Sequence, residues 1–535
     1  MRVIKRSVLV IAVGGIGSIS LMLIAGHRNN SIVLLTLFAI WVLAPFVGLA
    51  LANMASRRWS RLTRVTLHSL ILLVAVGSLA IYWNVSQAPR GSRIAFPFLV
   101  VPAGSWLLLI ILIPGAALIS CKLSAIGPFR WLIKAMAAVV MLIVLGIALL
   151  LGLLLLDHNR DTALPAPTGP FPVGRATYLW TDDVHTDAMA PQPNTKRELV
   201  AWVWYPAAAA TPSKPVDDYM PAPWRTALER EIGVPLTQFL TRDLARVHGH
   251  SIPDADLSPE QHSYPVVFMR AGLSALTLDY STLAEDLASH GYVVVGFDAP
   301  YRTFVTVLPN GTVITRTPQN NADAFSGIEQ ENLAGRLVQA WTADMTFALD
   351  QLERLNASDP SGRFVGRLDM QRVGVFGHSL GGATALQFCH DDSRCKAGID
   401  VDGAPWGSVV RDGVTQPIMF LFSDHSTDAA DPQEKQIEAN FQSLFDRLAR
   451  NRCYQITIRG ANHFMFSDDG AALKSPLLVR ALRMLGIVKI DGRRQIAITE
   501  HFIDAFFDVY LKGAPASELN SSPQYPEVEA ATRPG

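Results

Sequence analysis

The feature that most restricts the fold of this chain is the segment VGVFGHSLGGATA at residues 373–385. Its first residues form a short apolar run typical of a buried strand, and its small last residues open a helix. Between the two lies a G-x-S-x-G match, with Ser379 between Gly377 and Gly381. A serine on a strained strand-to-helix turn needs glycine at both flanking positions, because side chains there would collide with neighbouring backbone. The segment therefore predicts a nucleophile elbow.

The first 156 residues are far more apolar than the rest of the chain. They contain five runs that are each near or above the ~20 residues a membrane-spanning helix needs. The runs cover about 7–25, 32–54, 65–83, 94–120 and 131–156. A cleaved signal peptide would explain the first run only. We therefore expect an all-α transmembrane domain of about five helices, and the lack of Asp and Glu in it favours anchoring over transport.

Basic residues are concentrated in alternate loops of this segment. They precede the first run, separate the second from the third, and separate the fourth from the fifth: Arg2, Lys5, Arg6, Arg57, Arg58, Arg61, Arg64, Lys122 and Arg130. The positive-inside rule predicts a cytoplasmic N-terminus. Five spans then place the remaining chain on the far side, the periplasm if the membrane is a bacterial inner membrane. If the proline-containing fourth run does not cross the membrane, the chain after the fifth run is cytoplasmic instead.

The remaining chain has the composition of a soluble globular domain. Residues 157–174 are rich in Pro, Thr and Gly and are expected to be a linker, 175–515 a catalytic domain, and 516–535 a disordered tail. A net charge of zero, with only 17% charged residues, argues against a nucleic-acid partner.

Strand-like and helix-like patterns alternate along the soluble part. Strands are expected at 197–206, 264–269, 292–298, 373–376, 397–402, 417–422 and 454–458, and helices at about 330–355 and 497–512. Residues 207–263 are expected to be an irregular insertion with one helix near 223–247. The β-turn-α-β succession predicts an α/β fold of the α/β-hydrolase type, with a mostly parallel sheet flanked by helices.

A serine nucleophile needs a base that a third group holds in place. Four histidines follow Ser379. His463 comes directly after the last predicted strand, in a loop that would deliver its imidazole to the serine. His390 is too close behind the elbow on its own helix, His501 lies within a regular helix, and His425 stands where an acid is more often found. His463 is therefore the predicted base.

The third member of the triad is less restricted by the sequence. Asp400, Asp402 and Asp424 all end strands between the elbow and His463. The usual order of such sheets favours Asp424, but the local pattern does not distinguish it from Asp402.

Several segments resemble the platelet-activating factor acetylhydrolase family, of the type related to lipoprotein-associated phospholipase A2. They are GHSLGGAT at 377–384, DLASHGY at 286–292, and ITIRG at 456–460 followed by His463. The likeness covers roughly 195–512 and leaves the membrane half unmatched. It implies a serine esterase that acts on short or oxidised acyl chains of lipid-like esters.

The resemblance also bears on individual residues. The family's acid follows a G-I-x-x-D pattern, which residues 398–402 match, and this implies Asp402. The oxyanion hole takes one backbone N–H from the residue after the nucleophile, Leu380. The family reads H-G-L-G in the loop that supplies the second N–H, whereas this chain reads RAGLS at 270–274, which makes Leu273 the expected donor.

Cofactor and metal motifs are not visible in the sequence, so neither a cofactor nor a metal ion is expected. Cys389 and Cys395 are six residues apart and are expected either to form a local disulfide or to remain thiols, as Cys453 should.

We therefore expect a membrane-anchored serine ester hydrolase whose triad is Ser379, His463 and Asp402, acting on a small or lipid-like ester. Two alternatives stay open: an amidase or peptidase with the same triad, and a membrane sensor that binds a ligand without turnover.

Overall fold

The chain folds into two compact units, Met1–Leu150 and Leu151–Gly535. The structure is a computed structural model, and it describes residues 2–25, 32–86, 95–121, 145–209, 217–232, 241–424, 432–448, 452–486, 488–520 and 525–532.

Long apolar helices make up the first unit. They are α1 (Arg2–Ala25), α2 (Ile32–Ala55), α3 (Arg61–Ser86) and α4 (Ala95–Cys121). All four are long and apolar enough to cross a membrane. Of the fifth predicted span, Leu145–His158 is an apolar helix, α5, and residues 131–144 lie outside the described residues.

The four long helices bury a small apolar core and leave apolar side chains outside. Phe46, Leu67 and other large residues pack inside. Gly14 allows close helix packing, since a Cβ there would lie 2.8 Å from the Cβ of Ala75. On the outer surface Ile16 and Leu51 are 67% and 62% exposed. An apolar outer surface of this kind suits a lipid environment.

The second unit is organised on strands, which we number in chain order. They are β1 (Thr162–Ala163), β2 (Val173–Thr186), β3 (Lys196–Pro206), β4 (Val247–His248), β5 (Ile252–Pro253), β6 (Tyr264–Arg270), β7 (Val293–Asp298), β8 (Val305–Val307), β9 (Val313–Thr315), β10 (Leu368–His378), β11 (Cys395–Val401), β12 (Ile418–Phe422), β13 (Cys453–Ile458) and β14 (Val528–Thr532). Ten of them form one sheet in the spatial order β14-β13-β12-β11-β10-β6-β7-β3-β2-β5.

Parallel pairing runs through the centre of this sheet, from β13 to β7, and antiparallel pairing adds β14 at one edge and β3 and β2 towards the other. The helices of this unit are α6 (Ala222–Ile232), α7 (Ser281–Ser289), α8 (Ile328–Ala357), α9 (Leu380–Asp391), α10 (Val409–Asp412), α11 (Pro432–Phe445), α12 (Pro476–Met484), α13 (Gly492–Phe507) and α14 (Ser517–Asn520). Neighbouring residues of one strand, such as Val266 and Val267, belong to separate apolar cores. Both faces of the sheet are therefore covered, which confirms the predicted α/β class.

The structure differs from the sequence expectations at both ends of this unit. The expected linker is packed on the unit, because Thr168 N donates to Asp286 Oδ1 at 2.6 Å. The expected disordered tail contributes β14, which pairs with β13. Strand β2 was not predicted, and the helix expected near 223–247 is described only as α6. Tertiary hydrogen bonds order these segments, although their own sequences carry weak patterns.

Candidate active site

Ser379 lies at the sharp turn between β10 and α9, near the centre of the sheet. Its backbone has φ 57° and ψ −125°, a region that costs free energy for any residue with a Cβ. Its N–H donates to Val401 O of the neighbouring strand at 2.8 Å. A Cβ at Gly377 would collide with Gly381 O, and one at Gly381 with Arg270 O. These close backbone contacts explain why the elbow needs glycine at both positions.

Asp402 and His463 are in direct contact beside this turn. Nδ1 of His463 donates to Asp402 Oδ2 at 2.7 Å, and the Asp402 side chain is fully buried. The backbone N–H and the hydroxyl of Ser423 hold the same carboxylate at 2.7 and 2.8 Å. The His463 ring lies 4.5 Å, centroid to centroid, from the ring of His378. His378 immediately precedes Ser379, so the imidazole stands next to the elbow.

The other candidate acids make different contacts. Asp424 accepts from Gly460 N at 3.0 Å and from Lys489 Nζ at 3.3 Å, with 40% of its side chain exposed. Asp400 is buried and accepts from Gly403 N at 2.9 Å. Burial raises the pKa of Asp400 well above its ordinary range.

The histidines that the sequence disfavoured have other partners or positions. His390 Nδ1 pairs with Gly413 O at 2.7 Å, the His501 ring packs 5.1 Å from Tyr525, and His425 lies outside the described residues.

The two predicted oxyanion donors flank the serine. Leu380 is the first residue of α9, where backbone N–H groups lack intrahelical acceptors. The loop that holds Leu273 passes close to the nucleophile, since a Cβ at Gly272 would lie 3.4 Å from Ser379 Cβ. Nη1 of Arg316 donates to Leu273 O at 2.9 Å and so fixes this loop from the other side.

The sequence reasoning gave no role to two residues of this site, Tyr280 and His378. Tyr280 donates its hydroxyl to His378 Nδ1 at 2.7 Å and accepts from Gly272 N at 3.3 Å. The two hydrogen bonds join the oxyanion loop to the elbow. The only available signal was the histidine inside the G-x-S-x-G match, because Tyr280 is 98 residues away in sequence.

An apolar wall stands beside the two oxyanion candidates. Leu273, Leu380 and Phe325 pack against a buried cluster that includes Leu333. Leu333 and Phe325 also line a cavity of about 520 Å³, whose other lining residues are Glu329, Asn332 and Arg336. The site therefore has an apolar side next to a polar rim.

Comparisons with known proteins agree with this architecture. Residues 156–317 match the sequence model of the family "Platelet-activating factor acetylhydrolase, isoform II". Residues 335–481 match that of the family "PET hydrolase-like". Both matches lie within the second unit.

Curated relatives and a solved structure extend the likeness. A platelet-activating factor acetylhydrolase from Cavia porcellus is 25% identical over 382 residues, which are 67% of this chain and 80% of the relative. A probable 1-alkyl-2-acetylglycerophosphocholine esterase from Arthroderma benhamiae is 24% identical over 290 residues, 51% of this chain and 67% of the relative. A ferulic acid esterase from Streptomyces cinnamoneus superimposes with a TM-score of 0.55 at 25% identity, covering 69% of this chain and 99% of the esterase.

The names of the two curated relatives describe an acetylhydrolase and an esterase, and the ferulic acid esterase shares the fold described above. The likeness expected from the short motifs is thereby confirmed. The chain is similar to the platelet-activating factor acetylhydrolase family of α/β-hydrolases and is a carboxylic ester hydrolase.

Proposed function

We propose that the chain is a membrane-anchored serine esterase in which Ser379, His463 and Asp402 form the catalytic triad. The 2.7 Å contact between His463 and Asp402, beside the strained turn of Ser379, is the observation that carries this proposal. A buried carboxylate on Nδ1 fixes the tautomer in which Nε2 is free to accept a proton.

The reaction follows from these positions. Ser379 Oγ attacks the acyl carbonyl while His463 Nε2 takes its proton, and His463 then returns the proton to the leaving alcohol. The N–H groups of Leu273 and Leu380 stabilise the oxyanion. Water, deprotonated by His463, cleaves the acyl-enzyme by the same steps in reverse.

Short or oxidised acyl chains on amphiphilic, phospholipid-like esters are the substrates we propose. Two observations support this class. The wall that includes Leu273 and Leu380 suits an apolar substituent, and the rim of charged and polar residues suits a polar headgroup. One relative is named as an esterase of an alkyl-acetyl-glycerophosphocholine.

For the first unit we propose anchoring in a bacterial inner membrane, with a cytoplasmic N-terminus and an extracytoplasmic catalytic unit. Four helices of sufficient length support the anchoring. The bond between Cys389 and Cys395 supports the orientation, because disulfides persist in oxidising compartments.

Labelling of membranes with a fluorophosphonate probe tests the nucleophile. We expect the wild type to be labelled and Ser379→Ala to be silent, with a loss of p-nitrophenyl acetate hydrolysis of about a millionfold. An unlabelled wild type would contradict the triad and favour a ligand-binding sensor. Faster turnover of an acyl amide than of the matching ester would favour an amidase.

A matched pair of variants tests the acid. Asp402→Asn should lower kcat by about 10⁴-fold, because His463 loses the carboxylate that orients it. Asp424→Asn should retain nearly full activity, since its carboxylate pairs with Lys489 instead. The opposite pattern would move the acid to Asp424.

A further inference from the structure

A second group of titratable side chains lies where α7 meets α13. Asp286 lies in α7, His290 directly follows the last residue of that helix, and Asp504 belongs to α13. Nδ1 of His290 is 3.0 Å from Asp504 Oδ2 and 3.8 Å from Asp286 Oδ2. One potential ligand atom of each residue lies within 4.8 Å of the other two. We call these three residues the 286/290/504 cluster.

Asp286 is the member that points to a missing partner. Its side chain is 2% exposed, and its Oδ1 accepts from Thr168 N at 2.6 Å. Its Oδ2 faces the cluster and has no hydrogen-bond partner among the described residues. A buried carboxylate oxygen without a partner costs free energy. Asp286 Oδ2 therefore lacks a positive partner within hydrogen-bond distance among the described residues, since His290 Nδ1 is 3.8 Å away.

The charges around the cluster are also unbalanced. It lines a cavity of about 470 Å³ together with Glu500 and Asp508. Lys512 Nζ lies 2.8 Å from Asp508 Oδ1, so that the charge of Asp508 is matched. The lining holds two imidazoles, His290 and His501, against the carboxylates of Asp286, Asp504 and Glu500, and the ion pairs of His290 are with Asp286 and Asp504.

We propose that the 286/290/504 cluster binds one divalent transition-metal ion, with Asp286 Oδ2, His290 Nδ1 and Asp504 Oδ2 as its protein ligands. One imidazole with two carboxylates is a donor set that suits Zn²⁺ and related ions better than Ca²⁺ or Mg²⁺, which prefer oxygen alone. The cavity leaves room for water at the remaining positions. Because its ligands come from α7, from the residue that follows α7 and from α13, the ion would join the two helices and stabilise the fold without entering the ester chemistry.

Zinc binding by the full chain tests this proposal. The protein is purified in detergent with a tag that contains no histidine, stripped with EDTA and dialysed. Zn²⁺ is then titrated by calorimetry, and thermal midpoints are recorded with and without Zn²⁺. The variants are Asp286→Asn, His290→Gln and Asp504→Asn. Asp508→Asn is the matched control, since it removes a carboxylate of the same cavity that is already paired with Lys512. Circular dichroism checks that each variant is folded.

We expect one equivalent of Zn²⁺ to bind the wild type and Asp508→Asn and to raise their thermal midpoints. Each folded cluster variant should bind that equivalent at least about tenfold more weakly, with no rise in midpoint. Two results would overturn the proposal. One is Zn²⁺ binding that the cluster variants leave unchanged. The other is a wild type that shows no Zn²⁺ response while its Asp286→Asn and Asp504→Asn variants unfold at a higher temperature in EDTA. That result would mean that a protonated His290 is the only cation of the cluster.

Discussion

His378 is an imidazole that the fold keeps neutral next to the proposed nucleophile. Burial, followed by the neighbouring His463, lowers the pKa of His378 from 6.5 to about 3. The Tyr280 hydroxyl donates to its Nδ1 at 2.7 Å, which also favours the neutral ring. A neutral ring beside His463 avoids repulsion when His463 takes a proton during catalysis.

The lowered pKa of His378 predicts a stability effect in acid. In the unfolded chain this histidine binds a proton below about pH 6.5, whereas in the folded chain it does so only near pH 3. Its contribution to stability is therefore complete above pH 6.5 and is lost as the pH falls towards 3. Between pH 7 and pH 5 we expect the wild type to lose about 2 kcal/mol relative to His378→Asn. Thermal midpoints of both proteins from pH 7 to pH 4 measure this, and parallel curves would refute it.

Some residues of the proposed site could be predicted from the sequence and others could not. Ser379 and its glycines could be predicted because the elbow is a local motif whose constraints lie within five residues. The sequence could not separate Asp402 from Asp424, since both follow strands. The difference lies in tertiary contacts, because Ser423 and His463 surround Asp402 whereas Lys489 pairs with Asp424.

At the scale of elements, the loop after β6 depends on a side chain from the β8–β9 hairpin region. Arg316 follows β9, and its Nη1 donates to Leu273 O at 2.9 Å and to Ser274 Oγ at 3.3 Å. Both of these hydrogen bonds of Arg316 go to the loop that holds Leu273. The effect of Arg316 on the reaction would therefore act through the position of the Leu273 N–H.

We expect Arg316→Ala to lower kcat by about tenfold with little change in KM. Complete removal of an oxyanion donor costs about 10²–10³-fold, and a donor that is only displaced should cost less. Arg316→Lys should recover part of kcat, because an ammonium can still donate to Leu273 O. Arg411→Ala is the control, as Arg411 is 76% exposed and pairs with Asp412. A change in KM alone would show that Arg316 affects substrate binding instead.

The C-terminal strand shows how an element can escape sequence analysis. Strand β14 has only five residues, VEAAT, without a strong alternating pattern. It forms because β13 offers an unpaired edge, and Arg494 of α13 holds Glu527 beside it through two 3.0 Å contacts. By contrast, the central strands are near-continuous apolar runs, which made them predictable from composition alone.

Removal of β14 should destabilise the second unit. A chain that ends at residue 524 exposes the edge of β13, so we expect a lower thermal midpoint and aggregation during heating. A chain that ends at residue 532 keeps the strand and is the matched control. Light scattering during thermal unfolding measures both effects. Equal behaviour of the two truncated chains would show that β14 adds nothing to stability.

At the scale of the whole molecule, the orientation in the membrane depends on how many apolar runs cross. Four helices have the required length, and the fifth run is described only as Leu145–His158. An odd number of spans from a cytoplasmic N-terminus exports the second unit, whereas an even number retains it. The cysteines can report the outcome, because the two compartments differ in redox state.

Thiol counting in cells therefore tests the orientation. The chain has four cysteines, of which Cys389 and Cys395 are bonded to each other. If the second unit is extracytoplasmic, protein denatured without reductant should react with a maleimide only at Cys121 and Cys453, and at all four cysteines after reduction. Cys389→Ser should expose Cys395 without reduction and lower stability by about 2 kcal/mol. Four reactive thiols in unreduced wild type would indicate a reducing compartment, and with it an even number of spans.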